Sequence, residues 1–511
     1  MTDFVGNGCF LQKIGYNYIK VCCQATCSPA DGLMFVKRKE KNLIFNSLTF
    51  IFLCFIPCIL CILVAEKAGG RFRIRIQNVI LLLFSLLFFA WSGTQYIKAL
   101  IFLIVLNYVL GLLGKRSRAL LIIGVVLNLG VLFYYKYLNL IITTYNDILH
   151  RDFFLWEIIA PLGISFIIFQ CISYLMDLYQ GKAQTCRKFL DFALYISFFP
   201  KLSQGPIVKY KDMEAQLKYR TITYDKFLRG LERFIMGLSK KVLIADILGQ
   251  TSSSIFYSMG MGMDAGTAWI ALISYSFSLY MDFSGYSDMA IGMAAMMGFE
   301  FKENFNFPYL STSITEFWRR WHMSLGAWFR EYLYFPLGGS RKGNVYLNLF
   351  VVFLATGIWH GAAWVYLFWG AMHGVCVVVE RYIMKKSWYE KIPVFLRWAA
   401  TFFIVNIGWI TFNVTKFDEF TEFLGYLFGM GTPISFTGPF YLTPRLVTLW
   451  AVVILGTLIF SRKKVQVQLI KWNEESQVFN GIKYVFLLGC LFLCFVTSVS
   501  EGYQPFLYFQ F

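Results

Sequence analysis

Residues 43–63, LIFNSLTFIFLCFIPCILCIL, form a long apolar run that contains no charged side chain. A helix needs about 20 apolar residues to cross the hydrocarbon core of a bilayer. The run therefore predicts a membrane-spanning helix near the start of the chain. Similar runs follow at 78–92, 96–113, 119–142, 158–176, 189–199, 269–297, 346–358, 364–379, 398–412, 447–460 and 485–499.

The composition agrees with this pattern. The chain has 511 residues, of which 58% are hydrophobic and 15% are charged. Soluble domains average about 45–50% apolar and about 25% charged residues. We expect an all-α, polytopic membrane protein with about 10–12 transmembrane helices. The shorter runs predict additional re-entrant or interfacial helices, because irregular backbone at membrane depth must be buried in protein.

The chain carries a net charge of +18. In a soluble protein such an excess would suggest nucleic-acid binding. Here the Lys and Arg residues flank apolar runs, where they orient helices and contact anionic lipid. We therefore expect membrane lipid as a partner and no nucleic acid. A basic stretch at 201–241 is interpreted as a cytoplasmic loop and helix, with attraction of an anionic ligand as a second possibility.

The sequence predicts two parts. Residues 1–41 are polar and form an N-terminal extension, while residues 42–511 form one membrane domain. The cysteines Cys22, Cys23 and Cys27 lack the spacing of a usual zinc site and have no nearby histidine, so no metal site is expected. The absence of a clear internal repeat argues against a transporter of inverted-repeat design.

Polar residues inside the membrane are the candidates for function, because burying them is costly. They are densest between Asn304 and Trp369, where three of the four histidines fall in or near the cluster; the fourth, His150, lies in a polar loop. His360 lies between two apolar runs in TGIWHGAAW. Burial disfavours the charged imidazole, and a neutral ring can accept a proton from a hydroxyl. The alternative is a structural histidine with a hydrogen bond.

His322 follows FWRRW and precedes MSLGAW. If 311–324 is one helix, Glu316 and Arg320 are four residues apart and can pair. The tryptophans at 318, 321 and 328 would line a cavity or lie at the interface. A short helix dipping into a protein-lined funnel and an ordinary juxtamembrane helix with an aromatic belt both fit this segment.

Other polar positions are interpreted as structural. His373 comes 13 residues after His360, too far for both to share one site on an unbroken helix. Asp282, Ser284, Tyr286, Ser287 and Asp288 lie in an apolar run and favour packing or cavity lining.

The ordered motifs resemble the membrane-bound O-acyltransferase (MBOAT) superfamily, specifically its alginate O-acetyltransferase-like branch. The motifs are PLGISFIIFQCISYLMDLYQG (161–181), FFPKLSQGPIVKY (198–210), GLSKKVLIAD (237–246), YMDFSGYSDMAIGMAAMMGF (280–299), FWRRWHMSL (317–325) and GIWHGAAW (357–364). The resemblance runs from residue 43 to the C-terminus and leaves out residues 1–41.

The resemblance implies a many-helix fold around a tunnel, in a multi-pass protein of the cell membrane. It implies O-acyl transfer, and O-acetylation of an extracytoplasmic polysaccharide is the expected reaction. His360 of the WHG motif and His322 of the RRWH motif are the implied catalytic residues. The implied donor is acetyl-CoA or another acyl thioester, with no bound cofactor. The implied partner is an extracytoplasmic acyltransferase or esterase-like protein.

Two other functions fit parts of the pattern. D-alanyl transfer for teichoic acid modification uses the same architecture and both histidine motifs, with a carrier protein as donor. The length of chain after the WHG motif favours polysaccharide O-acetylation instead. A membrane transporter or channel would also place polar residues in spans, but it would not require the paired histidine motifs.

Overall fold

The computed structural model describes residues 3–5, 9–14, 17–22, 45–68, 70–114, 116–431 and 438–500. Two compact units comprise Met1–Asn42 and Leu43–Phe511. The first contains an antiparallel sheet of β1 (Asp3–Val5), β2 (Cys9–Ile14) and β3 (Asn17–Cys22), in that order. The assignment of 1–41 and 42–511 as separate domains stays a prediction.

The second unit, over its described residues, is built from helices alone. Its first half contains α1 (Leu48–Ala68), α2 (Gly70–Trp91), α3 (Thr94–Leu113), α4 (Arg118–Leu149), α5 (Ile164–Tyr179), α6 (Phe189–Ser197), α7 (Tyr210–Lys218), α8 (Tyr224–Ser239) and α9 (Asp246–Tyr257). The second half contains α10 (Ala265–Met296), α11 (Ile314–Arg320), α12 (Met323–Phe329), α13 (Val345–His360), α14 (Trp364–Ile383), α15 (Val394–Ile410), α16 (Phe417–Leu427), α17 (Gly438–Tyr441), α18 (Pro444–Phe460), α19 (Lys463–Glu475) and α20 (Gln477–Ser500). The predicted all-α, polytopic fold is confirmed for this unit.

Five described helices are long and apolar enough to cross a membrane: α1, α2, α3, α4 and α20. The number is six if α18 and α19, which meet at a bend of 84°, count as one broken span. Fewer helices meet this length than the about 10–12 expected crossings. The reason is that several apolar runs fold as shorter helices, among them α5, α13 and α15.

The outer helices face lipid with one side and the protein with the other. On α1, Leu53 and Val64 are exposed, whereas Cys54 and Cys58 are buried. Exposed aliphatic side chains are stable in lipid, because the hydrocarbon solvates them as well as a protein core would. The division of each helix into two sides therefore fits membrane-spanning packing.

The long helix α10 passes through the centre of the unit and is buried along most of its length. Glycines allow α8 to approach it, since a Cβ on Gly230 would lie 2.7 Å from the carbonyl oxygen of Gly292. Asp282 and Asp246 each lie 2.6 Å from the ammonium of Lys241. The ion pair with Lys241 thus explains why a carboxylate is buried at position 282. This agrees with the interpretation of Asp282 as a structural residue.

The basic stretch at 201–241 is only partly the exposed loop that was expected. Lys201 and Lys241 are buried, and Lys201 donates to the side-chain oxygen of Gln170. A buried charge is stable only when it has partners. Some of these lysines therefore lie in the interior of the unit and do not anchor the chain at the membrane surface.

Candidate functional site

His322 lies at a break between two short helices. The segment 311–324 is not one helix as expected, because α11 ends at Arg320 and α12 begins at Met323. His322 itself has left-handed backbone angles, φ 44° and ψ 53°. The predicted pair of Glu316 and Arg320 is confirmed, with 2.6 Å between their charged groups.

A hydrogen-bond network around Asn304 holds the imidazole of His322. The side-chain oxygen of Asn304 lies 3.1 Å from Nδ1 of His322 and accepts from the backbone N–H of Ser324, also at 3.1 Å. A backbone N–H can only donate, so the atom it contacts must be the amide oxygen. Nδ1 of His322 must therefore carry the hydrogen. In the neutral ring, Nε2 is then the acceptor.

This acceptor nitrogen has no protein partner. Nε2 of His322 is buried without a hydrogen bond among the described residues. The ring packs edge-on against Phe283, with 4.7 Å between centroids. Unsatisfied buried polar atoms are rare in native structures, and they are stable when a ligand or water supplies the missing bond. Nε2 is thus available to a bound substrate.

A cavity of about 1210 Å³ leads to His322. Its lining includes the aromatic side chains of Trp318, Trp321 and Phe329 and the hydroxyl-bearing Thr356. Charged residues also line it, namely Lys209, Asp212, Glu300, Lys302, Glu303, Glu316, Arg319, Arg330, Glu331, Arg381 and Lys385. The expectation that tryptophans line a cavity holds for residues 318 and 321. Trp328 instead stacks on Phe169 at 3.7 Å.

One wall of the cavity is fixed by an ionic cluster outside the candidate spans. Glu331 lies 2.8 Å from the ammonium of Lys209 and 2.5 Å from that of Lys211. Burial alone would raise the pKa of Glu331, but the hydrogen bonds from both lysines lower it to about 2. Glu331 therefore stays ionised at neutral pH and holds both lysines in place.

Three arginines on the cavity have no carboxylate partner among the described residues: Arg319, Arg330 and Arg381. Each is exposed, whereas most of the acidic groups beside them pair with lysines or with other arginines. Guanidinium groups bind phosphate and carboxylate oxygens through two parallel hydrogen bonds. The cavity thus presents three guanidinium groups that can bind an anion.

His360 is the last residue of α13 and is buried among aromatic rings. The rings of Trp359, Trp369 and Phe412 lie 5.0, 5.0 and 5.4 Å from its imidazole. The next residue, Gly361, cannot carry a side chain in this backbone, because a Cβ would lie 2.0 Å from the ring of Tyr366. The glycine of the WHG segment therefore serves close packing.

Trp359 connects the two predicted histidines. Its ring centroid lies 6.4 Å from that of His322 and 5.0 Å from that of His360. His360 does not line the cavity, although Thr356, one helical turn earlier on α13, does. The structure therefore brings both histidines to one aromatic cluster and opens the cavity to His322.

His373 lies closer to this cluster than the spacing argument allowed. The helix is not continuous, because α13 ends at His360 and α14 starts at Trp364. α14 turns back along α13, and the rings of His360 and His373 each lie 5.0 Å from Trp369. The structural role of His373 stays a prediction.

Two further expectations concern the place of His150 in a polar loop and the metal-ligating side chains. His150 is exposed at the end of α4, as expected for a polar loop. In the part of the chain that the structure describes, no three His, Cys, Asp or Glu side chains are grouped as metal ligands. Cys23 and Cys27 and the side chain of Cys22 lie outside the described residues.

Comparison with known proteins gives a family match. The model of the membrane-bound O-acyltransferase family matches residues 43–417. A Pseudomonas putida protein named "Probable alginate O-acetylase AlgI" is 37% identical over 496 residues, covering 92% of this chain and 100% of the relative. The protein of that name from Pseudomonas aeruginosa is 41% identical over 403 residues, 76% of each chain. A "Peptidoglycan O-acetyltransferase" of Helicobacter pylori is 36% identical over 393 residues, 68% of this chain and 73% of the relative.

Proposed function

Because this chain belongs to the membrane-bound O-acyltransferase family and is an O-acyltransferase, we propose that it moves an acetyl group from a thioester donor to hydroxyls of a polysaccharide. In this proposal the donor is cytoplasmic and the polysaccharide lies outside the membrane. Support for the acetyl group and the glycan comes from relatives named for the O-acetylation of alginate and of peptidoglycan.

The observation that carries the proposal is the meeting of a charged cavity with a buried acceptor nitrogen. The cavity reaches His322, whose Nε2 has no partner within the described part of the chain, and His360 lies beyond Trp359 in the same cluster. A thioester that enters this cavity would bring its carbonyl to the aromatic cluster that holds both imidazoles. Acyl transfer to a hydroxyl needs such a proton acceptor beside the reacting carbon.

His360 is proposed as the general base. The oxygen of the acceptor hydroxyl forms a bond to the thioester carbonyl carbon, and the carbon–sulfur bond breaks. The hydroxyl proton passes to the imidazole of His360 and then to the departing thiolate, so the base is regenerated. A positioned general base contributes about 10²–10⁴-fold to the rate.

His322 is proposed to orient a reactant. The network at Asn304 leaves Nε2 as an acceptor, so the neutral ring can receive a hydrogen bond from a hydroxyl or amide N–H. A neutral ring in this form cannot donate through Nε2 to a developing oxyanion. Positioning of the acceptor hydroxyl or of the donor therefore fits this geometry better than stabilisation of the oxyanion.

Acetyl-CoA is the proposed donor. Its phosphates would bind the guanidinium groups of Arg319, Arg330 and Arg381, while the acetyl end would enter the aromatic part of the cavity. No resident cofactor takes part in this scheme. The acetyl group would leave on the other side of the membrane, where a soluble oligosaccharide hydroxyl can accept it directly. In the cell, we propose that an esterase-like or acyltransferase partner carries it on to the polymer.

Transfer in proteoliposomes tests the proposal against its alternatives. Purified protein would be supplied with labelled acetyl-CoA outside the vesicles and an oligosaccharide acceptor inside. We expect labelled ester on the enclosed sugar. D-alanyl ester formed only from a charged carrier protein would replace the acetyl assignment, and solute flux without any ester would favour a transporter.

A further inference from the structure

A lysine within a candidate membrane span contacts the segment that carries His360. Lys136 belongs to α4, where Phe133–Tyr137 form a π-helical turn. Its ammonium lies 2.7 Å from the carbonyl oxygen of Trp359 and 2.8 Å from that of His360. The next residue, Tyr137, donates its hydroxyl to the carbonyl oxygen of Ile358 at 2.7 Å.

These three carbonyls need partners because α13 ends there. The last four carbonyls of an α-helix have no intrahelical donor. Gly361, the residue that follows His360, has extended backbone angles, φ −157° and ψ 159°. The chain therefore leaves the helix at once, and Lys136 and Tyr137 supply three of the missing hydrogen bonds from another helix.

The charge of Lys136 suits this position. The carbonyl end of a helix carries partial negative charge, which a nearby cation stabilises. An ionisable side chain in a membrane segment is costly and commonly serves function. Turns of π-helix are rare and are also frequent at functional sites. Here the turn places two adjacent donors against consecutive carbonyls of one segment.

We infer that Lys136, assisted by Tyr137, is a positioning residue for His360. This inference rests on the proposed role of His360 as the general base. Aromatic rings pack around the imidazole. The backbone from which the ring projects is held by Lys136 and Tyr137, so the position of the ring depends on them.

The consequence is a specific change in kinetics. Loss of the contact would let the end of α13 relax and move the imidazole away from the hydroxyl it deprotonates. A displacement of about 1 Å at a reacting group can cost about 10²-fold in rate. Donor binding in the cavity would be unchanged, since Lys136 does not line it.

The test compares Lys136→Met, Lys136→Arg, Tyr137→Phe and His360→Ala in purified full-length protein. The control is Lys98→Met, because Lys98 is an exposed lysine near the start of the neighbouring helix α3. We expect Lys136→Met to lower kcat at least about tenfold with the KM for acetyl-CoA unchanged. Lys136→Arg keeps the charge and donors, so it should retain more activity than Lys136→Met. Lys98→Met should match the wild type.

Each other outcome has a definite meaning. A wild-type kcat for Lys136→Met, alongside an inactive His360→Ala, would overturn the inference and leave the proposed function standing. An active His360→Ala would instead remove the proposed base. If Lys136→Met does not fold, Tyr137→Phe decides the question: a lowered kcat with unchanged KM supports positioning, and wild-type kinetics contradict it.

Discussion

The side-chain oxygen of Asn304 lies 3.1 Å from Nδ1 of His322 and accepts a backbone hydrogen bond from Ser324 at the same distance. The contact sets which nitrogen of His322 carries the hydrogen. Asn304 is itself held by Ser287 of α10, to which its amide nitrogen donates at 3.1 Å. Ser287 on the central helix α10 thus supports His322 through one intermediate residue, Asn304.

Replacing Asn304 tests this arrangement. In Asn304→Ala the imidazole loses its directing bond, and both tautomers become accessible. A lost hydrogen bond of about 1–2 kcal/mol corresponds to roughly a tenfold lower kcat. Steady-state acetyl transfer would measure the effect. Asn146→Ala, which removes an asparagine bonded to the backbone of Phe153, is the control and should leave kcat unchanged.

Glu331→Gln tests the ionic cluster at the cavity. The folded pKa of Glu331, about 2, lies below the ordinary value near 4.5 because both lysines favour the carboxylate. The stabilisation is therefore present above pH about 4.5 and is lost as the pH falls towards 2. We expect the wild type to melt higher than Glu331→Gln at pH 6, with the gap narrowing at pH 3. An equal gap at both pH values would contradict the assignment.

The variant Gly357→Ala tests the packing that holds the WHG segment. A Cβ at this position would lie 2.4 Å from the carbonyl oxygen of Tyr366 and 3.0 Å from Cα of Gly370. Overpacking of this kind costs about 1–3 kcal/mol. Gly357→Ala should therefore lower the melting temperature by several degrees. Gly489→Ala on α20 is the matched variant, since nothing lies within 4 Å of its Cβ, and its melting temperature should not fall.

Replacing the arginines at the cavity tests whether acetyl-CoA is the donor. If Arg319 and Arg330 bind phosphate groups, each charge-assisted bond is worth about 1.5–3 kcal/mol. Arg319→Ala and Arg330→Ala should then each raise the KM for acetyl-CoA by about tenfold or more, with kcat nearly constant. The exposed Arg151, which does not line the cavity, provides the control. An unchanged KM in both variants would place the donor elsewhere.

Much of this architecture follows from the sequence because lipid imposes simple rules. The apolar runs beginning at residues 43 and 269 predicted helices that the structure contains as α1 and α10. The break at His322 was not predictable from helical spacing, because the backbone of a single residue in the left-handed region interrupts the pattern. The turn after His360 was predicted, since the separate apolar runs 346–358 and 364–379 correspond to α13 and α14.

The sequence did contain a signal for Lys136. In FYYKYLN (133–139) a lysine interrupts an apolar run, and an ionisable residue there is a candidate for function. Its target could not be inferred, because the carbonyls it contacts lie more than 200 positions further along the chain. The role of Asn304 was hidden in the same way, since its bond to His322 depends on how two loops meet.

The most direct test of the account is the rate of acetyl transfer by purified His360→Ala, compared with the wild type and with His150→Ala. His150 is exposed at the end of α4, so that variant controls for loss of an imidazole elsewhere. With normal folding, we expect His360→Ala to lose about 10²–10⁴-fold in kcat, while His150→Ala keeps the wild-type value. A folded His360→Ala enzyme that transfers acetyl at a near-normal rate would contradict the account.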